Sequence, residues 1–132
     1  MRFMLDTNIC IYIIKRKPVD VLERFKTYSI SDIAISSVTL AELEYGVAKS
    51  SKPQQNRTAL AGFLAPLVIA PFDDRAAIHY GEIRSFLERK GKPIGAMDLL
   101  IASHARSLST TLVTNNLREF KRIPGLRVEN WA

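Results

Sequence analysis

An α/β fold with a central parallel sheet of four to five strands, flanked by helices on both faces, is what this sequence predicts. Three observations carry the prediction. Short apolar runs alternate along the chain with segments of helical spacing, the pattern of a parallel sheet joined by right-handed crossovers. The first such run, Phe3-Met4-Leu5, stops at Asp6 and passes directly into a helical stretch, as a strand does when it feeds a helix. The chain has 132 residues, 47% of them hydrophobic, enough for one domain spanning 1–132 around a single core.

The elements follow in order. After the first strand, Ile9 to Lys17 has helical spacing, and its lone cysteine, Cys10, lies among Ile9, Ile11, Ile13 and Ile14 as a small core hydrophobe. Pro18 suits a first helical position, and Val21, Leu22 and Phe25 give a short second helix an apolar face ending near Tyr28. Ile33-Ala34-Ile35-Ser36 reads as a strand, and Ser37-Val38-Thr39 opens a helix with Leu40, Leu43, Val47 and Ala48 on one face and Glu42 in its first turn. Leu60, Phe63 and Leu64 mark a helix from Gln54 to Ala65, stopped by Pro66 before the strand Leu67-Val68-Ile69-Ala70. Asp73-Asp74 opens a long helix to Lys90. The breaker-rich Gly91-Lys92-Pro93-Ile94-Gly95 precedes an apolar helix from Ala96 to Ser107, with Asp98 in its first turn. Thr111 to Thr114 is a strand, Asn115 to Phe120 turns out of it, and a last short strand lies around Leu126-Arg127-Val128.

Composition narrows the function. Lys plus Arg outnumber Asp plus Glu by 19 to 13, a net charge of +6 that favours a polyanionic partner. No apolar run approaches a membrane span, and the N-terminus lacks the order of an export signal, so the expected location is cytoplasmic.

In a parallel α/β sheet, strand ends and helix starts gather at one edge, where such folds bind ligands. Asp6 ends a strand, Glu42 and Asp98 begin helices, and Asn116 and Glu119 follow a strand, so residues far apart in sequence can converge there. Gathered carboxylates repel unless a cation compensates them, and hard divalent ions such as Mg2+ or Mn2+ prefer such oxygen ligands. His79, His104 and Cys10 have no spacing that suggests zinc. An ion in an acidic cleft on a basic protein fits phosphodiester hydrolysis, with Lys15, Arg16 and Lys17, then Arg89, Lys90 and Lys92, then Arg118, Lys121 and Arg122 around the substrate path.

Four segments together, Leu5 to Asn8, Ser36 to Gly46, Gly91 to Asp98 and Thr114 to Phe120, resemble the PIN-domain ribonucleases, and within them the VapC toxins of bacterial toxin-antitoxin pairs, the enteric type above all. The likeness spans essentially the whole chain. It implies a PIN-like fold and a Mg2+- or Mn2+-dependent endoribonuclease that cuts a transfer RNA in its anticodon loop, with initiator tRNA the leading candidate. It also implies inhibition by a VapB-type antitoxin, a homodimer, and contact with DNA only through that antitoxin. By position, Asp6 and Asp98 match the family's metal-holding acids and Glu42 the acid that completes the site. Many relatives carry an aspartate where this sequence has Asn116, so Glu119 takes the outer acidic role and a second metal is in question. Thr7, Asn8, Thr114 and Asn116 are supporting residues, and Lys15, Arg16, Lys92 and Arg118 the RNA-binding set.

Plainer roles compete for several of these residues. Glu42 stands three residues after Thr39, the capping-box spacing, and Asp98 gains from a helix dipole without any metal. Thr7, Asn8, Thr114 and Asn116 are ordinary cap and turn formers, while His79 and His104 read as packing or surface residues. Two other functions stand beside the nuclease: an RNA-binding module without chemistry, and a receiver-like phosphoacceptor. The latter is disfavoured because no second acid adjoins Asp6, no lysine ends the last strand, and Asp98 belongs to a helix.

Overall fold

The structure, a computed structural model, describes residues 1–132. Strands β1 (Phe3–Leu5), β2 (Ile33–Ser36), β3 (Val68–Ala70), β4 (Thr111–Val113) and β5 (Arg127–Glu129) form one five-stranded sheet in the order β3-β2-β1-β4-β5, parallel throughout. The chain builds outward from β1 to β3 on one side, then returns to lay β4 and β5 on the other. The order therefore reverses between β1 and β4, and the crevice of an open α/β sheet lies at that switch.

Alternation along the central strands separates two cores. Phe3, Leu5, Ile33, Ile35 and Val113 face a layer containing Ile9, Cys10, Ile13, Val21, Leu43 and Leu60. That layer is built by α1 (Thr7–Lys15), α2 (Val19–Lys26), α3 (Ser37–Lys49) and α4 (Pro53–Leu64). Met4 and Leu112 face the other, with Ile83, Leu87, Ile101, Ala105 and Phe120 from α5 (Asp74–Arg89), α6 (Ala96–Ser107) and the short α7 (Leu117–Phe120). Cys10 is fully buried, the core role expected of it.

Several boundaries differ from the sequence reading. The first helix stops at Lys15 rather than Lys17, because Arg16 turns left-handed at φ 61° and the residue before a proline disfavours the helical region. Pro18 precedes α2 in an extended conformation instead of opening it, and α2 ends at Lys26, where the Thr27 hydroxyl donates to Arg24 O at 2.7 Å. Tyr28 lies outside the helix and stacks on Trp131, ring centroids 5.3 Å apart. Ala48 is exposed, so the buried face of α3 is Thr39, Leu43 and Val47. The segment after β4 contains one helical turn, α7, where only a turn was expected, held by Phe120 and Ile123 in the second core. No helix is long and apolar enough to cross a membrane.

Candidate active site

Asp6 follows β1 with its backbone N–H still bonded to Val113 O of β4 at 3.0 Å, which places it in the crevice at the switch point. Its Oδ1 accepts from Ile9 N at 2.9 Å, capping α1, and it also meets the Thr114 side chain. Only 5% of Asp6 is exposed. Burial above all, with added repulsion from Asp98 and Glu42, pushes its carboxyl up to about 6, while the Thr114 and Ile9 hydrogen bonds pull the other way.

Asp98 stands in the first turn of α6, half-buried, and no side chain caps that helix. Its carboxyl is raised by burial, then by Glu42, then by Glu119. Asp6 thus feels Asp98 and Glu42, and Asp98 feels Glu42 and Glu119, although these acids come from the end of β1, α3, α6 and α7. This repulsion links the four segments at one edge of the sheet.

Glu42 lies in the second turn of α3, not the first, because the helix opens at Ser37. The capping-box role fails with it. Ser36 caps α3 by accepting from Val38 N at 3.0 Å, whereas Glu42 Oε1 accepts from Thr7 Oγ1 at 2.5 Å. Thr7 therefore ties the first turn of α1 to α3 and aims the glutamate toward Asp6. Glu119 is engaged differently: Arg122 Nη2 donates to its Oε2 at 2.5 Å. Thr114, fully buried, accepts from Asn116 N at 2.9 Å, while the Asn116 side chain caps nothing and Asn8 is exposed on α1.

The basic candidates divide. Lys92, in the loop leading into α6, and Arg118, on α7, are exposed beside segments that carry site acids. Lys15 and Arg16 sit at the opposite end of α1, about 13 Å along its axis from Asp6 at 1.5 Å per residue. Lys15 lines an apolar groove of about 320 Å³ between α1, α3 and α4, with Ile11, Ile14, Leu43, Val47 and Glu42. Arg122 is not a free cation on the substrate path, since its fork is spent on Glu119 and on Lys92 O at 2.6 Å.

Sequence reasoning missed one polar knot near the site. Buried His104 of α6 meets Ser36 Oγ at 2.7 Å through Nδ1, joining the helix of Asp98 to the cap of the helix of Glu42. Burial holds its imidazole below the usual value. Nothing in the local pattern distinguishes this histidine from any other on an apolar helix. Neither it nor His79, which accepts from Arg106 Nε at 2.8 Å, faces the acids, and burial pushes the Cys10 thiol well up.

The donor set at the crevice is therefore oxygen only, which suits a hard divalent ion. No three of these side chains stand in ready coordination geometry, consistent with Glu42 and Glu119 being turned to Thr7 and Arg122. Asp6, Glu42 and Asp98 have no cationic partner; of the four acids only Glu119 has one.

A parallel five-stranded sheet with carboxylates gathered at its switch point is the design of a PIN domain, and the family model for the PIN domain matches residues 3–126. A tRNA(fMet)-specific endonuclease VapC from Salmonella typhimurium is 51% identical over 132 residues, covering 100% of this chain and 99% of that protein. The solved structure of DNA-bound VapBC from Salmonella typhimurium superposes with a TM-score of 0.94 at 51% identity, covering 100% of this chain and 99% of the other. VapBC2 from Rickettsia felis, bound to a DNA fragment from its promoter, gives 0.93 at 50% identity and 100% coverage of both chains. The chain belongs to the VapC ribonucleases of the PIN-domain family.

Proposed function

We propose that this protein is the toxin of a type II toxin-antitoxin pair, a Mg2+- or Mn2+-dependent endoribonuclease that hydrolyses a phosphodiester bond in a transfer RNA anticodon loop. The observation that carries the reading is the gathering of Asp6, Glu42 and Asp98 from three distant segments to one edge of the sheet without a cation among them, with burial and neighbouring carboxylates raising Asp6 and Asp98. The tRNA(fMet) specificity of the 51% identical relative makes initiator tRNA the leading substrate. Single-stranded loops suit such a site, because their phosphates splay outward as duplex phosphates do not.

Asp6 and Asp98 would hold the ion, and Glu42 would complete its shell directly or through water. A bound divalent ion supplies charge neutralisation at the phosphate and lowers the pKa of an attacking water. The protein's own work is positional. Thr7 holds Glu42 in place, Thr114 and Ile9 N hold Asp6, and Lys92 and Arg118 draw the RNA backbone to the edge where these acids lie.

The apolar groove between α1, α3 and α4 supports a VapB-type antitoxin as the inhibitor. A segment seated there runs beside Glu42 and reaches the site. The solved relatives are such complexes on DNA, which fits a homodimeric toxin in the cytoplasm that meets DNA only through its partner.

The test is cleavage of initiator tRNA with Mg2+ by the wild type and by Asp6→Ala and Asp98→Ala, each checked for folding. Equal cutting by all three removes the chemical basis of the proposal. The competing reading, an RNA-binding module without chemistry, draws on Asn116 standing where many relatives have an acid. RNA affinity indifferent to EDTA, with no cleavage of any tRNA, would favour it.

A further inference from the structure

The Glu119–Arg122 pair occupies a particular place in the fold. Its helix, α7, is rooted at the crevice by Asn116 N, which donates to Thr114 Oγ1 at 2.9 Å, and Thr114 in turn meets Asp6. Arg122 reaches across from the end of that helix with two hydrogen bonds. One goes to Glu119 Oε2 at 2.5 Å, and the other to Lys92 O at 2.6 Å in the loop that delivers Asp98. The guanidinium therefore straddles both segments that bring acids to this side of the site. It is the one cation ion-paired with any of the four predicted acids.

We propose that Arg122 is a positioning residue that withholds the Glu119 carboxylate from the divalent-ion site, so that the RNA-free protein binds its ion through Asp6, Asp98 and Glu42 alone. The inference rests on the nuclease reading and deepens it by assigning Glu119 its state. A carboxylate that accepts from a guanidinium N–H is partly neutralised and fixed in direction, because that donor and the ion compete for the same oxygen lone pairs. Glu119 remains close enough for Asp98 to feel its charge, so releasing it adds a ligand and a negative charge within reach of the ion. The side chains of Arg122 and Glu119 are 26% and 39% exposed, so solvent weakens the pair without dissolving it.

The consequence has an unusual sign: removing an arginine tightens metal binding. Mn2+ affinity of the RNA-free protein, measured by electron paramagnetic resonance of the free ion, is expected to rise about tenfold in Arg122→Gln, from charge removal and ligand release together. Arg122→Lys, which keeps the charge, stays near the wild type. Lys121→Gln, the same charge change on the adjacent exposed residue, shifts affinity by less than about twofold. The Glu119→Gln/Arg122→Gln double variant returns to near the wild-type value, since there is then no carboxylate to release. A merely structural role for Arg122 predicts an unchanged or weaker affinity in Arg122→Gln, and that result overturns the proposal, as does a gain that persists in the double variant. If the wild type binds no Mn2+, the nuclease reading falls together with this inference. If it binds Mn2+ and Arg122→Gln shows no gain, only this inference falls.

Discussion

The two ends of α6 are built on opposite electrostatic principles. At its C-terminal end Arg106, 16% exposed, donates through Nε to His79 at 2.8 Å, through Nη1 to Pro124 O at 3.1 Å and through Nη2 to Glu82 at 2.6 Å. Each of the three guanidinium nitrogens donates, and α5, α6 and the turn before β5 are stapled together. At the N-terminal end Asp98 has the helix dipole in its favour but is half-buried beside two other acids that raise its carboxyl. One end of the helix is satisfied and the other is left in tension. Such tension is kept where a ligand relieves it, which supports the proposed metal-holding role of Asp98, while Arg106 holds the fold.

Substitutions at each end test that contrast. The largest effect is expected for Asp98→Ala: tRNA cleavage falls by about 10³-fold or more in single-turnover assays, while the thermal midpoint stays level or rises. Surviving activity would reduce Asp98 to a helix-dipole residue.

Next is Asp6→Asn without metal. The folded carboxyl titrates near 6, above its unfolded value of about 3.9, so the protonated form is favoured by folding. That stability is fully present below the unfolded pKa and lost as pH rises through about 6. At pH 8 with EDTA, Asp6→Asn should therefore be more stable than the wild type by up to about 3 kcal/mol, and the gain should fade between pH 6 and pH 4. Urea melts across that range check both the sign and the window.

Arg106→Ala has the reverse character. It should cost about 2 kcal/mol of stability through its lost hydrogen bonds, leaving cleavage per folded molecule unchanged. Calorimetry beside activity at 20 °C below the midpoint separates the two. The smallest effect is expected for Thr7→Val, which removes the donor to Glu42: Mg2+ affinity falls about tenfold with little change in stability. No change in affinity would mean that Glu42 finds its place without Thr7.

Elements with a strong local pattern were legible in full. The helix from Ala96 to Ser107 matched its prediction at both ends, because Gly95 and the turn after Ser107 bound a stretch rich in apolar residues at helical spacing. Where several weak signals competed, tertiary contacts decided. Thr39 and Glu42 have capping-box spacing, yet Ser36 caps the helix, because the last residue of β2 is already extended and its hydroxyl is in reach of Val38 N. Glu42 was thereby freed to meet Thr7. The Asn115 to Phe120 stretch carries too few residues for a helical period to show, and α7 forms because Phe120 finds a core to enter. Arg122 stands three residues after Glu119, a spacing visible in sequence, but its second bond to Lys92 O lies across a chain separation of 30 residues.

The sequence by itself determined the alternation of strands and helices and the apolar faces, and it offered the acids as candidates, because these follow from residue spacing and local backbone preference. The tertiary structure alone decided which partner each acid takes. It left Asp6 buried beside Thr114, turned Glu42 to Thr7 and Glu119 to Arg122, and left Asp98 without a cation. Such choices depend on burial and on charges brought together from distant segments, and electrostatic interactions of that kind act through space rather than along the chain.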